Sequence, residues 1–248
     1  MARVDYDRMA AHYEQARSIA LDGLEGWREA LAAHLPPAGG LPVLDLGAGT
    51  GLFAFALARW FDLDVIAVEP SAGMRAQARR RRPHPRVAQV GGRVEQLPLR
   101  ARSCGAAWLS TVIHHLDDLP GCARALREVL PAGGPVLVRS AFPGRQDGIT
   151  LFRFFPGARR IAATFPTVEA TVEAFAAAGF ALESLRPVSQ VTAPGLRALA
   201  ERVRLRADST LAPLPDDELA RGLAALERAA ATEPAGPVVD HLDLLVLR

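Results

Sequence analysis

The chain has no lysine. All 29 of its Lys+Arg residues are arginine. That excludes a Schiff-base lysine, a P-loop lysine and a lysine general base. Arginine and alanine have GC-rich codons and lysine AT-rich ones, so the bias points to a GC-rich bacterial genome, and arginine clusters are first of all a matter of composition. Cysteine is almost as scarce. Cys104 and Cys122 stand alone, far apart and outside any CxxC or Cys/His spacing, which excludes a disulfide scaffold and predicts no metal site. No apolar run approaches the ~18 residues of a membrane span. The opening Met-Ala-Arg-Val-Asp-Tyr-Asp-Arg has no apolar core of a signal peptide, so a cytoplasmic location is expected. A formal net charge of +2 gives no pull toward nucleic acid or a membrane surface.

Of the 248 residues, 50% are hydrophobic and 23% charged, enough to bury a core without staples. The length suits one large domain carrying insertions. Residues 1–35 read as a helical N-terminus, with Tyr6, Met9, Ala10, Tyr13, Ala16 and Arg17 at three- and four-residue spacing, ending at Pro36-Pro37. A repeating alternation follows. Strands are expected at Val43–Leu46, Val65–Val68, Val87–Val90, Ala106–Ser110 and Pro135–Arg139. Helices are expected at about 52–60, 71–82 and 119–130. This predicts an α/β, doubly wound, mostly parallel sheet. Beyond it, Thr167–Ala178 reads as a helix with Thr167 at its N-cap and Gly179 at its end. Phe180–Val191 and Val238–Leu247 read as strands. Residues 143–163 and 194–232 read as insertions around the core of 41–141.

The most informative segment is Val43-Leu44-Asp45-Leu46-Gly47-Ala48-Gly49-Thr50-Gly51. It joins a buried strand to a helix through glycines, which are needed where backbone turns tightly or a ligand approaches the main chain. Two ligand classes use such a loop. A dinucleotide site wants G-x-G-x-x-G, but Leu52 stands where the third glycine belongs. The next strand ends in Glu69, and a carboxylate there can accept hydrogen bonds from both ribose hydroxyls of a nucleoside.

The D-x-G-x-G-x-G form resembles motif I of the class I S-adenosylmethionine (SAM) methyltransferases, and the resemblance continues through most of the first 140 residues. Glu69-Pro70-Ser71-Ala72-Gly73-Met74 is similar to the family's acid-x-S-x-x-M segment. Gly92-Arg93-Val94-Glu95-Gln96-Leu97-Pro98 is similar to its adenine-facing loop. Trp108–Asp118 resembles motif IV with its H-H-L-x-D stretch, and Arg127–Pro135 the turn before strand five. Gly105 departs from the family's usual aspartate.

The resemblance implies a seven-stranded sheet with its last strand antiparallel. It implies SAM as cofactor and S-adenosylhomocysteine (SAH) as product, held by Asp45, Gly47, Ala48, Gly49, Gly51, Glu69, Pro70, Met74, Val94, Glu95 and Ser110. It also implies an N-terminal helix closing over the cofactor, with Tyr6 and Tyr13 near the sulfonium or substrate and Arg17 on the amino-acid carboxylate. His114 and His115 follow the fourth strand, and an imidazole suits base work at neutral pH. They, with Tyr13, are the catalytic candidates, beside the alternative that they are loop framework.

The expected activity is methyl transfer to an oxygen or nitrogen of a small-molecule acceptor, a bacterial secondary metabolite or metabolic intermediate, by a monomer or homodimer. A SAM-binding enzyme that catalyses a non-methylating reaction such as cyclisation is the alternative. A non-catalytic SAM-binding protein and a nicotinamide-dependent oxidoreductase fit less well. The acceptor site is expected over the sheet, between the N-terminal helix and the insertions. Phe152, Phe154, Phe155 and Phe165 either line it or form the insertion's core. Arg153, Arg159, Arg160, Arg197, Arg202, Arg204 and Arg206 either hold an anion or form ion pairs on a solvated face, the second being favoured. The run Arg79–Arg82 ends a helix, where the dipole favours cations, and carries no recognisable nucleic-acid module. His84 reads as a surface loop residue and His241 as a packing residue of the last strand.

Overall fold

The computed structural model describes residues 19–248; Tyr6, Tyr13 and Arg17 lie outside the described residues. The short strands β1 (Val43–Leu46), β2 (Val65–Val68), β3 (Val87–Val90), β4 (Ala106–Ser110) and β5 (Val136–Ser140) form where apolar runs are bounded by glycine and proline. All four residues of β1 and all five of β5 are buried, as strands covered on both faces must be. With β6 (Leu182–Ala193) and β7 (Val238–Leu247) they make one seven-stranded sheet in the order β3-β2-β1-β4-β5-β7-β6. Pairs among β1 to β5 are parallel, and β7 runs antiparallel to β5 with Val136 opposite Leu247. Strand order reverses at β1, so the crevice between the carboxyl ends of β1 and β4 is the place where such sheets bind ligands.

The described chain divides into two compact units. One comprises 28–140, 166–187 and 243–248, the other 19–27, 141–165 and 188–242. The first holds β1 to β5 and the helices α2 (Leu52–Phe61), α3 (Ala72–Arg81), α4 (Leu119–Val129) and α7 (Val168–Ala176), with part of α1 (Glu25–Ala32). Its core is built on Leu44, Leu57, Trp108, Leu109 and Leu137, each fully buried. Caps start its helices: Ser71 Oγ accepts from Met74 N, Asp118 from Gly121 N, and Thr167 from Ala170 N. Gly179 (φ +81°) closes the turn after α7.

The second unit contains both expected insertions. Residues 143–163, irregular in composition, fold as two short helices, α5 (Thr150–Phe154) and α6 (Pro156–Ala162), because Pro156 can open a helix at its first position. α8 (Leu196–Arg204) and α9 (Asp216–Thr232) follow. Phe152, Phe154 and Phe155 are buried here with Leu199, Val203 and Leu226, and Phe165 packs against them, so these aromatics are core. α9 packs closely through Gly222, where a Cβ would lie 2.2 Å from the Phe155 ring. His241 is a correction. It is exposed rather than packed, because the first half of β7 alternates and puts Val239 and His241 outward. Among the described residues no helix is long and apolar enough to cross a membrane.

Candidate functional site

The loop after β1 turns on glycines. Gly47 (φ +70°) lies against Val112, whose Cγ2 would be 2.5 Å from an added Cβ. Its N–H and that of Ala48 donate to the Val68 carbonyl (2.8 and 3.2 Å), fastening the loop to the end of β2. Gly49 (φ +54°) is different. Nothing lies within 4 Å of the place its Cβ would occupy. At this crest the backbone is uncovered on the side where a Cβ would stand. Gly51 (φ +77°) opens α2 and has Ala78 of α3 beside it.

Glu69, only 7% exposed, ties this loop to the next one. Its Oε2 accepts from Gly49 N and its Oε1 from Ser71 N, both at 2.9 Å. Each carboxylate oxygen has a second lone pair, so the side chain is oriented by backbone amides and keeps acceptor capacity for a diol. Asp45, flanked in the sheet by Ala67 of β2 and Trp108 of β4, is buried at 1% exposure. Burial first, then the nearby Glu69 charge, push its carboxyl up to about 7, against a hydrogen bond from the Ala54 amide. Its Oδ2 has no hydrogen-bond partner among the described residues.

The other predicted residues gather at the carboxyl ends of the strands. Pro70 follows Glu69 and Met74 is fully buried in α3. Val94 is buried and Glu95 exposed, on the turn closed by Gln96 N to Arg93 O (3.2 Å). Ser110 ends β4, and its Oγ accepts from Arg139 Nη1 (3.2 Å). A single 3₁₀ turn, Ile113–His115, carries the histidines with ring centroids 3.9 Å apart. His114 is half-buried and His115 exposed. Gly105 sits at the opposite, amino end of β4. There its N–H donates to Pro42 O (2.9 Å), and Pro36 and the Leu41 carbonyl crowd the Cβ position. A missing carboxylate at that end is remote from the loop.

Three arginines matter more than their composition suggests. Arg75 Nη1 donates to the carbonyls of Glu69 (2.7 Å) and Pro70 (2.9 Å), and Arg82 Nη1 to that of Thr50 (3.2 Å). They clamp the two loops from α3 and its C-cap. Arg139 is a buried cation in a strand of apolar neighbours, a signal visible in Val136-Leu137-Val138-Arg139. The arginines of the second unit behave otherwise. Arg153 pairs with Glu233, Arg159 with Asp147, Arg160 with Glu218, Arg204 with Glu201 and Glu227, and Arg206 with Asp216. A cleft of about 550 Å³ in that unit is lined by Gln146, Phe152, Arg159 and Arg160 among others, but both its arginines are already ion-paired. Burial pushes the Cys122 thiol up to about 12, so it is an inert core residue.

A doubly wound sheet with a glycine loop at its switch point and a strand-end acid beside it places both features in the crevice where such sheets bind ligands. The comparisons narrow this. Residues 44–138 match the model of the Methyltransferase domain family. A demethylmenaquinone methyltransferase of Beutenbergia cavernae is 30% identical over 152 residues, covering 60% of this chain and 62% of the relative. A ubiquinone/menaquinone biosynthesis C-methyltransferase of Caulobacter vibrioides is 27% identical over 148 residues, covering 55% and 59%. The chain thus spans about three-fifths of the length of these relatives. Among solved structures, a candidate methyltransferase from an antibiotic biosynthesis pathway of Anabaena variabilis superposes with a TM-score of 0.74 at 22% identity, covering 94% of this chain and 99% of that one. The [4+2]-cyclase SpnF superposes at 0.60 and 21% identity, covering 90% and 79%. Both share the fold.

The residues present fit the family's cofactor. The open crest at Gly49 and the pre-oriented Glu69 carboxylate are what a ribose-bearing ligand needs.

Proposed function

We propose that this chain transfers the methyl group of SAM to a small-molecule acceptor. One observation carries the reading: Glu69 is held by two backbone N–H groups, one from each cofactor loop, so its position is set before any ligand arrives. Gly47, Ala48, Gly49 and Gly51 would present main chain to the cofactor, Glu69 would accept from its ribose, and Val94 and Glu95 would flank its adenine. SAM, when bound, supplies a methyl on a good leaving group, so placement and exclusion of water do much of the work. Where the acceptor must lose a proton, the half-buried His114 is better placed than the exposed His115 to take it. Oxygen and nitrogen acceptors suit that base; the quinone C-methyltransferases among the relatives add an activated carbon.

Calorimetric binding of SAM and SAH, with NADH as control, tests the cofactor. Micromolar binding of the first two alone is expected; binding of NADH instead refutes the reading. Mass analysis of product then separates methyl transfer, which adds one methylene to the acceptor, from cyclisation, which leaves its mass unchanged.

A further inference from the structure

The turn after β4 is built against local preference. Among the described residues, Asp62, Arg102, Thr111 and Arg206 are the non-glycine residues with positive φ. Asp62 caps α2, and Arg102 and Arg206 stand in ordinary turns. Thr111 (φ +52°) is the β-branched member of that set, and a β-branched side chain opposes this conformation strongly. Such strain persists only where surrounding contacts over-determine it, and it clusters where geometry is functional. The contacts are there. Ser110 pairs with Arg139 in the β4–β5 ladder, and the Thr111 N–H adds one more bond, to the Arg139 carbonyl (2.8 Å). The left-handed step comes at that same residue. Val112 returns to φ −111°, and Ile113, fully buried, anchors the far side of the turn. Between these anchors the Val112 side chain fills the space that Gly47 leaves: its Cγ2 would lie 2.5 Å from a Gly47 Cβ. The Val112 carbonyl accepts from His115 N (2.8 Å). One residue therefore touches the glycine loop with its side chain and the histidine turn with its backbone.

We infer that Thr111 and Val112 are positioning residues: the left-handed backbone at Thr111 seats Val112 on Gly47, and that contact sets the histidine turn relative to the glycine loop. This rests on the reading of the chain as a SAM methyltransferase and deepens it. On the β2 side the loop is fixed by Gly47 N–H on the Val68 carbonyl and Gly49 N–H on Glu69. On the β4 side it is fixed by Val112. Close-packed contacts transmit small displacements rather than absorb them, so a cofactor seated on the loop shifts the histidine turn with it. Thr111 supplies a backbone conformation. Glycine can adopt the same φ, and proline cannot. Val112 supplies bulk, which alanine lacks.

The test titrates the whole protein, carrying isotopically labelled histidine, with SAH. Calorimetry reads the affinity. The imidazole Cε1–Hε1 resonances of His114 and His115, assigned by substituting each histidine in turn, read the position of the turn. In the parent, SAH should displace at least one of the two resonances. Val112→Ala should still saturate with SAH but lose that displacement. Thr111→Gly should keep the displacement and an SAH affinity within about twofold of the parent, with a Tm no lower. Thr111→Pro should lose the displacement and about tenfold or more in affinity. Should the Pro variant fail to fold, the Gly and Ala variants still decide. A displacement that persists in saturated Val112→Ala overturns the inference, because the imidazoles then sense the ligand directly. So does an SAH-bound parent with no displacement. A Thr111→Gly protein that folds and loses the displacement overturns it too, since the threonine side chain rather than its backbone would then be at work. Failure of the parent to bind SAH at all instead overturns the methyltransferase reading, so the two failures are told apart.

Discussion

The two units of this chain solve different problems with the same residue types. In the unit built on β1 to β5, glycine supplies backbone conformation: Gly47, Gly49 and Gly51 all have positive φ. In the other, Gly222 sits mid-helix and supplies space for the Phe155 ring. Arginine divides the same way. Arg75 and Arg82 hold carbonyls of the loops after β2 and β1, whereas Arg153, Arg159 and Arg204 pair with carboxylates on exposed surface. A residue's chemistry acquires a function only where the fold converges on a site; elsewhere the same side chain packs or solvates.

The comparison can be broken most severely at Gly47. Gly47→Val meets both a positive φ and the Val112 side chain; loss of roughly 2–4 kcal/mol of stability is expected, with SAH binding abolished, read by thermal melting and calorimetry. Gly222→Ala should cost about 2–3 kcal/mol through overpacking yet leave SAH affinity within twofold. Equal loss of affinity would show that its packing governs the site after all. Glu69→Ala removes the acceptor shared by two amides, and a loss of roughly 2 kcal/mol in SAH binding is expected, about thirtyfold, with kcat/KM falling at least as far.

Asp45 sharpens the comparison through pH. Its carboxyl is raised from 3.8 to about 7, so between those values the folded chain holds a proton that the unfolded chain has released. Stability should therefore fall as pH rises through that window, with the penalty complete above it. Asp45→Asn should flatten this slope, as seen in denaturant titrations across the range. The smallest effect belongs to the surface pairs. Arg159→Ala, which breaks an ion pair with an 85%-exposed Asp147, should change stability by at most about 0.5 kcal/mol and leave SAH binding untouched.

Much of this was legible in the chain because it is local. Strand-forming runs bounded by Gly and Pro, and the Thr167 and Gly179 helix ends, depend on neighbours in sequence. So does the strand-end position of Glu69. The helices of 143–163, read from the sequence only as an insertion, were harder to see, since glycines and a proline are interspersed there and Pro156 stands at a helix start. His241 was misread because alternation alone does not say which face of a strand is covered.

The sequence by itself determined the α/β order, the glycine loop and the acid that follows it, because a positive φ, a strand period and a turn are properties of a few consecutive residues. Only the tertiary structure decided that Glu69 is gripped by Gly49 and Ser71, that Arg75 and Arg82 clamp loops rather than meet solvent, that His114 is more buried than His115, and that Arg139 lies beside Ser110. Each of these depends on which strands become neighbours in the sheet and on how a helix packs upon it. Those are contacts across long stretches of chain, and no local pattern encodes them.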